Sequence, residues 1–567
     1  MPENKLQKYF GFNTFKSGQK EVIAKILDGE SAKILMISVE RFKNERFRYH
    51  LQNMRISLMV IDEAHCISEW GHNFRPEYLK LPLYRKEFKI PQTLLLTATA
   101  PPAVIDDMCG KFDILRSNVV ITGFYRKNLF LKITPTAQAD KQNVLLKRVQ
   151  RAADAPTIVY VTLQKTAETV AAFLCKNNIN AHAYHAGMQS REREDIQNRF
   201  MDGSLACIVA TIAFGMGIDK RDIRRIIHYD LPKSIENYSQ EIGRSGRDGD
   251  PALCEVLANK DGVNVLENFI YGDTPARKSI YQLLQKIKQN DGFVWEIKLT
   301  GLSNEINIRF LPLRTCLVYL SMEGIIRPKM TYFDEYSFKF HIGPEKIINQ
   351  FAKERKQFVK IIFDHCRTKK IWTTVDMDAI LNACSADRQR IISALEYFNE
   401  KGWIELQTRQ AVEVFDIMTQ AFDIDGVTEK VHTLFKQKES HGIGRIHDMI
   451  DLFESRSCIS RNLAEYFGEH LEKTHCGHCS FCKNESIVLK TTSRLKPLSH
   501  LDFNELTGKF IQAAGENADE TNLSKFLCGI YTPVFLKFKV KAMPGFGALE
   551  QYPFQQVKKW IRTKQKV

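Results

Sequence analysis

The chain has 567 residues, 44% of them hydrophobic and 26% charged, which excludes pervasive disorder and allows several folded domains. With 81 Lys and Arg against 66 Asp and Glu, the formal charge is +15, which favours a polyanionic partner such as nucleic acid, although a generically basic protein fits equally well. No apolar stretch suits a signal peptide or a membrane span, so we expect a soluble, intracellular protein without a membrane partner.

Short apolar strands alternate with helical stretches in the first 264 residues, which is typical of parallel α/β sheets. In residues 1–125 the predicted strands are Lys33–Ser38, Leu58–Asp62, Thr93–Thr99 and Val119–Gly123. In residues 126–264 the predicted strands are Thr157–Val161, Cys207–Thr211 and Arg225–Tyr229. The sequence therefore predicts two α/β domains in tandem.

Two adjacent carboxylates, Asp62 and Glu63, end the apolar strand of the first domain, and Ala64 and His65 follow them. An aspartate at such a position can hold Mg²⁺ through water, and a glutamate beside it can orient a water molecule towards a γ-phosphate. The carboxyl ends of parallel strands are also where α/β folds place their sites. The pattern predicts one half of a site that hydrolyses a nucleoside triphosphate.

The other half of such a site, a glycine loop of the form Gly-x4-Gly-Lys-Ser/Thr, is absent from the sequence. Gly110-Lys111 and Gly508-Lys509 are the two Gly-Lys pairs of the chain, and Phe follows each of them. Where the loop is expected, after Ala32, the chain passes directly to Lys33. This pattern indicates a deletion that would remove an interior strand and leave backbone groups without partners.

From about residue 265 the pattern changes to helix pairs followed by short strands, and it occurs twice, in residues 265–345 and 346–440. Helix, helix and β-ribbon is the order of a winged helix, and two small α+β domains without a role in DNA binding are the alternative. The predicted helices are Leu311–Gly324 and Asp387–Lys401. The predicted strands are Ile325–Arg327 and Tyr336–Phe340 in the first segment, and Trp403–Leu406 and Ala411–Phe415 in the second.

Four cysteines in residues 441–490 have the spacing Cys-x17-Cys-x2-Cys-x2-Cys, and they are Cys458, Cys476, Cys479 and Cys482. Thiolates so spaced can close a tetrahedral Zn²⁺ site, in which His475 or His478 could replace one ligand. A redox Cys-x-x-Cys pair is the rival interpretation. The other nine cysteines are scattered singly, so we expect core thiols and no disulfide framework. Residues 491–567 are expected to form a small helical domain.

Six further segments surround the Asp62–His65 motif in a fixed order: Gly11–Gln19, Trp70–Tyr78, Thr97–Ala100, Tyr184–Met188, Ala210–Lys220 and Gln240–Gly249. Together the segments resemble the RecQ family of DNA helicases in superfamily 2, over at least residues 6–260. The resemblance implies two RecA-like domains, ATP and Mg²⁺ as cofactors, and single-stranded or forked DNA as the partner. It also implies ATP-dependent 3′ to 5′ unwinding in DNA recombination and repair, and a zinc module at the four cysteines.

The resemblance further implies three groups of site residues. The residues implied for hydrolysis are Asp62, Glu63, His65, Gln240, Arg244 and Arg247. The two arginines resemble the arginine fingers of the family, which neutralise the negative charge that develops on the γ-phosphate. The residues implied for nucleotide binding are Phe12, Lys16, Gln19, Gly215 and Asp219, with Lys16 where the family usually has arginine. The residues implied for DNA binding are Trp70, His72, Phe74, Arg75, Thr97, Thr99 and Thr211, and aromatic rings suit this role because they stack on bases without reading sequence.

The order of domains departs from the commonest RecQ arrangement, because both expected winged helices precede the zinc module instead of following it. Three hypotheses follow from the residues. The chain is an ATP-dependent DNA helicase, a DNA-binding protein that has lost hydrolysis with its glycine loop, or a defective gene product interrupted between Ala32 and Lys33.

Overall fold

The computed structural model describes residues 35–565, apart from residues 44, 69–74, 153, 216–217, 385, 486 and 493. The chain divides into two compact units. One unit contains Met54–Arg277 and the C-terminal part from Thr428, and the other contains Ser38–Asn53 and Lys278–Val427. Within the described ranges, no helix combines the length and the apolar character that crossing a membrane requires.

The first α/β segment has two paired strands among its described residues. Strand β1 (Leu58–Ile61) runs parallel to β2 (Gln92–Leu95), with Leu58 opposite Gln92 and Ile61 opposite Leu95. Helices in this part of the chain are α1 (Glu45–Gln52), α2 (Leu81–Glu87) and α3 (Pro102–Phe112). The strands expected at Lys33–Ser38 and Val119–Gly123 do not form in described residues 35–38 and 119–123, which make no ladder of hydrogen bonds with β1 or β2.

The second α/β segment contains a six-stranded parallel sheet in the order β3-β8-β7-β4-β6-β5. Its strands are β3 (Leu129–Pro135), β4 (Thr157–Tyr160), β5 (Ala181–Tyr184), β6 (Cys207–Ala210), β7 (Arg225–His228) and β8 (Ala252–Ala258). Its helices are α4 (Lys141–Gln150), α5 (Gln164–Lys176), α6 (Ser190–Met201), α7 (Ile235–Ile242) and α8 (Val263–Gly272). Every residue of β4 and β6 is buried, as expected for central strands covered on both faces, and the predicted parallel sheet is confirmed.

The middle unit contains a five-stranded antiparallel sheet in the order β11-β12-β10-β13-β9. Its strands are β9 (Val294–Ile297), β10 (Ile326–Phe340), β11 (Cys366–Lys369), β12 (Trp372–Val375) and β13 (Ile404–Ile417). Its helices, with α9 beginning at the unit boundary, are α9 (Arg277–Lys288), α10 (Leu299–Ile306), α11 (Phe310–Met322), α12 (Pro344–Ile348), α13 (Lys353–Asp364), α14 (Met377–Ala383) and α15 (Arg388–Glu400).

The expectation of two short strands in each of these helical segments was wrong. In each segment the two predicted short strands merge into one long strand, β10 or β13, and β10 pairs with β13 from Ile326 opposite Ile417 to Phe340 opposite Ile404. Buried residues lie on both strands, among them Phe338 and Val414, so pairing the two strands with each other buries both apolar sets in one sheet.

The C-terminal part consists of α16 (Ile424–Phe453), α17 (Ile459–Tyr466), α18 (Phe503–Ala514), α19 (Glu520–Leu527) and α20 (Phe554–Lys564). The end of α16 and the start of α17 share one hydrophobic core with the second α/β sheet, through residues such as Phe453 and Ile459. Helices α18–α20 enclose a separate core around Phe510 and Phe526, whose rings stack with centroids 4.4 Å apart. The expected C-terminal helices therefore share one core, which Tyr271 of α8 also joins.

Candidate functional site

The two carboxylates expected to serve hydrolysis lie in a tight turn after β1. The N–H of Glu63 donates to Asp62 Oδ1 at 2.8 Å, and Glu63 has φ 49° and ψ 43°, in the left-handed region. The N–H of Ala64 donates to Leu96 O at 2.9 Å, which ties the turn to the end of β2. A left-handed glutamate is uncommon and persists where the surrounding structure enforces it, as at functional sites.

His65 connects the carboxylate turn to the threonines that follow β2. Its side chain is buried, with Nδ1 2.8 Å from Thr97 Oγ1 and 3.4 Å from Glu63 Oε2. Thr97 Oγ1 also accepts the N–H of Thr99, at 3.4 Å. The structure therefore brings together one histidine expected to serve hydrolysis and two threonines expected to contact DNA.

The environment of Glu63 shifts the pKa of its carboxyl upward. Burial raises the pKa of the Glu63 carboxyl above its ordinary value, and the adjacent charge of Asp62 raises it further. Arg75 and Arg244 act in the opposite direction. A carboxylate with a raised pKa accepts a proton more readily at neutral pH, which suits a group that handles a water molecule.

One cavity of about 510 Å³ gathers residues from both α/β segments. Glu63, His65 and Thr99 line it from the first, and Gln240, Arg244 and Arg247 line it from the second. Gln240 Nε2 donates a hydrogen bond of 3.1 Å to Thr99 Oγ1, which joins the two sides of the cavity. Five of the six residues expected to serve hydrolysis therefore line a single cavity, and the sixth, Asp62, adjoins it in sequence.

Arg244 and Arg247 lie in the arginine loop, defined here as residues 243–249, which follows the end of α7. The guanidinium of Arg244 donates to Gly215 O, and a Cβ at Gly215 would lie 2.7 Å from Arg244 Nη2. Arg247 Nη1 donates to Asp219 Oδ1 at 2.5 Å and to Ile218 O at 3.1 Å. Gly215 and Asp219, two of the five residues expected to bind nucleotide, are thus partners of the arginines.

The residues expected to bind DNA are distributed over several places. Arg75 lines the cavity, with its guanidinium carbon 5.9 Å from the centre of the Tyr78 ring. Thr211 follows β6, and its N–H donates to Tyr184 O at 3.1 Å. Six other predicted site residues lie outside the described residues: Trp70, His72 and Phe74, expected to bind DNA, and Phe12, Lys16 and Gln19, expected to bind nucleotide.

The four cysteines of the predicted metal site converge in space. Their sulfur atoms all lie within 4.8 Å of one another, with Cys476 Sγ 3.9 Å from Cys482 Sγ and Cys458 Sγ 4.0 Å from Cys479 Sγ. Tetrahedral zinc with bonds of about 2.3 Å places sulfurs about 3.8 Å apart, so the set fits Zn²⁺. His478 instead has Nε2 3.4 Å from the Tyr125 hydroxyl oxygen. The arrangement supports a four-cysteine zinc site over a redox pair.

Three further cavity residues, Phe124, Tyr125 and Arg126, were missed in the sequence. They occupy the segment between the two α/β sheets, and no motif marks them. The Gly-Phe-Tyr-Arg run at residues 123–126 puts a cation beside two aromatic rings, and this is the signal that could have drawn attention to them.

Comparison with known proteins is consistent with this geometry. The chain matches the family models for DEAD/DEAH box helicase over residues 3–108, helicase conserved C-terminal domain over residues 140–249, and RecQ zinc-binding over residues 416–483. A similar protein is the ATP-dependent DNA helicase RecQ of Bacillus subtilis, 38% identical over 45% of this chain and 43% of the relative.

Two eukaryotic proteins are also similar. The RecQ-like DNA helicase blm-1 of Caenorhabditis elegans is 40% identical over 42% of this chain and 25% of the relative. The ATP-dependent DNA helicase Q-like 5 of Arabidopsis thaliana is 25% identical over 76% of this chain and 48% of the relative. The matched part of the chain thus spans less than half the length of each of these three relatives.

Proposed function

Since the chain belongs to the RecQ family of superfamily 2 helicases, we propose that it is an ATP-dependent DNA helicase that unwinds forked DNA from a single-stranded 3′ tail. We propose that it serves DNA recombination and repair. The observation that carries the proposal is the shared cavity, in which Glu63 and His65 of one α/β segment face Gln240 and Arg244 of the other. Nucleotide-driven opening and closing of such a cavity is what moves DNA in this mechanism.

The side chains have distinct parts in the proposed hydrolysis. Asp62 would hold Mg²⁺, which when bound would supply positive charge to the phosphate oxygens. Glu63 orients the attacking water and accepts its proton, for which its raised pKa suits it. Arg244 and Arg247 neutralise the charge that develops on the γ-phosphate, and Arg247 exchanges Asp219 for phosphate as it does so.

DNA is bound electrostatically and by stacking in this proposal. The formal charge of +15 provides the attraction for phosphates, and the Trp70–Tyr78 segment provides aromatic rings for unpaired bases. Arg75, which belongs to that segment, lines the same cavity as Glu63. In this proposal Arg75 connects a base stacked on the segment to Glu63, the carboxylate that orients water. Hydrolysis would then depend on bound DNA.

DNA binding without hydrolysis is a second candidate function, favoured by the lack of a Gly-x4-Gly-Lys-Ser/Thr loop in the sequence. Without that loop, the triphosphate loses a cradle of backbone N–H groups and one lysine. If hydrolysis persists, the cavity arginines must hold the phosphates, and we expect a KM for ATP at or above about 1 mM, the upper end of the usual range.

The deciding experiment measures ATP hydrolysis by the full chain with and without single-stranded DNA, beside the Glu63→Gln variant. Turnover that DNA stimulates and that Glu63→Gln abolishes is expected for a helicase, together with unwinding of a 3′-tailed duplex and not of a 5′-tailed one. Salt-sensitive binding to single-stranded DNA with no turnover up to 10-fold above that KM, or about 10 mM ATP, would instead establish the second function.

A further inference from the structure

The segment between the two α/β sheets, Gly123–Asn128, is called here the linker segment. Its first half is held by the zinc module. Glu469 Oε2 accepts the N–H of Phe124 and, at 2.8 Å, the N–H of Tyr125. Gly123 has φ 97°, and a Cβ there would lie 2.9 Å from Glu469 Oε1. Two amides on one carboxylate form charge-assisted bonds, which are stronger than bonds between neutral groups.

Side chains of the linker segment also pack on the zinc module. The ring of Phe124 stacks on Phe467, with centroids 4.4 Å apart. The hydroxyl of Tyr125 lies 3.4 Å from Nε2 of His478, which stands in the chain between Cys476 and Cys479. The position of the linker segment therefore depends on the fold of the loop that carries the zinc ligands.

The second half of the linker segment holds the arginine loop. Arg126 Nη2 donates to Gly246 O at 2.6 Å and to Ser245 O at 3.3 Å. Asn128 Nδ2 donates to Gly246 O and to Asp250 O, both at 2.8 Å. Three of these four bonds end on residues that lie between the two arginines of the cavity.

Gly246 shows how closely the linker segment fits the arginine loop. Its φ of 56° favours glycine, and a Cβ at this position would lie 2.5 Å from Asn128 Nδ2 and 2.8 Å from Asp250 O. The loop backbone is thus in direct contact with the linker segment and has no space for a side chain there.

We propose that Arg126 and Asn128 are positioning residues for the arginine loop, and that Glu469 of the zinc module determines where Arg126 stands. The zinc module then acts on the cavity through the linker segment, as well as stabilising its own fold. The inference rests on the proposed function only for the use of the loop on ATP, because the order of the loop can be measured without turnover.

The test is hydrogen–deuterium exchange of the zinc-bound full chain, read at the loop amides of Ser245, Gly246 and Asp248. These amides donate to Ile242 O, Ile223 O and Arg221 O respectively, so their exchange reports loop order. We expect Arg126→Ala to speed this exchange about tenfold, equivalent to about 1.4 kcal/mol. Arg126→Lys should give a partial effect, because lysine keeps the charge and loses the planar fork.

Glu469→Ala tests the connection to the zinc module. We expect faster exchange at Phe124 and Tyr125 and also at the arginine loop, with one zinc ion per chain retained. Glu472 is an exposed residue three positions further along, and Glu472→Ala is the matched control. It should leave the exchange rates at Phe124 and Tyr125 and at the arginine loop unchanged.

Two outcomes would overturn the inference. One is wild-type loop exchange in Arg126→Ala. The other is faster exchange confined to the linker segment in Glu469→Ala. If Glu469→Ala loses zinc, Asn128→Ala takes its place, because the side-chain amide of Asn128 donates hydrogen bonds to Gly246 of the arginine loop and to Asp250 beside it. Unchanged exchange at the arginine loop in Asn128→Ala would contradict the proposal. Faster loop exchange in a chain that hydrolyses no ATP would uphold this inference while refuting the helicase function.

Discussion

Gln240 Nε2 donates a hydrogen bond of 3.1 Å to Thr99 Oγ1, joining α7 of the second α/β segment to the chain that follows β2 of the first. Thr99 is buried, and Gln240 is partly buried. The bond is therefore partly buried, and it connects two elements that lie 141 positions apart in sequence. It is a direct contact between the two walls of the cavity.

The strength of this contact can be measured with a double-mutant cycle. We expect Thr99→Val and Gln240→Ala to show a coupling free energy of about 0.5–1.5 kcal/mol, the usual contribution of one hydrogen bond. Urea unfolding of the wild type, the two single variants and the double variant gives the four free energies of unfolding. Strictly additive single effects would mean that the two side chains do not interact in solution.

Replacing Glu63 by Gln should stabilise the protein at neutral pH. The pKa of Glu63 is raised above 4.5 in the folded state, first by burial and then by Asp62, so folding favours the protonated form. That stabilisation is fully present below the unfolded pKa and is lost as the pH rises through the folded pKa. At neutral pH the wild type therefore carries a partly buried charge that the amide avoids.

We expect the Glu63→Gln variant to melt about 1–2 °C above the wild type at pH 7.5, and the difference to vanish near pH 4. The effect is small because 42% of the side chain is exposed, and solvent screens the charge. Melting curves from pH 4 to pH 8 measure it. A variant that is less stable than the wild type at pH 7.5 would contradict the assigned environment of Glu63.

Zinc should bind once per chain and should stabilise the part of the fold built around it. Cys479 is fully buried and contributes to the core that the module shares with the second α/β sheet. We expect Cys479→Ser to lose zinc and to melt at least about 5 °C lower, because binding free energy at a structural site is folding free energy. Zinc content by elemental analysis and thermal melting are the two measurements.

The exposed Cys175 provides the control for that experiment. Cys175→Ser should keep one zinc ion and the wild-type melting temperature, because Cys175 lies on α5, away from the metal ligands. Full zinc occupancy in Cys479→Ser would show that another group, such as His475 or His478, takes the fourth position.

Local patterns predicted much of this molecule, and long-range partners account for what they missed. The apolar runs at Thr157–Val161 and Cys207–Thr211 each indicate a strand in isolation, and both became β-strands of the parallel sheet. The cysteine spacing likewise predicted four ligands that do converge. Both signals are patterns within short stretches of sequence, which is why they could be recognised without the structure.

The missed features depend on which distant residues meet. Alternating residues in β10 and β13 predict strands but carry no information on pairing with each other, so two ribbons were expected where one sheet forms. Glu469 lies 344 positions from Tyr125, whose amide it holds, and nothing in either local sequence indicates the other. The tertiary fold alone makes Glu469 and Arg126 part of the cavity's surroundings.

A buried ion pair in the second α/β sheet gives the largest expected loss of stability. Glu255 on β8 is fully buried, and Arg148 Nε lies 3.0 and 2.9 Å from its two carboxylate oxygens. Thr134 Oγ1 donates to the same carboxylate at 2.6 Å. Removing Arg148 would leave the buried carboxylate without its hydrogen-bonded counter-charge, although Arg225 also interacts electrostatically with Glu255.

We expect Arg148→Ala to lower the free energy of unfolding by about 3 kcal/mol, the lower end of the range for broken buried ion pairs, because Arg225 still interacts electrostatically with Glu255. Arg148→Met combined with Glu255→Gln should recover much of this loss, since the pair is then replaced by neutral side chains of similar size. Urea unfolding of the three proteins measures both effects. A loss below about 1 kcal/mol in Arg148→Ala, the range of exposed pairs, would mean that water reaches Glu255.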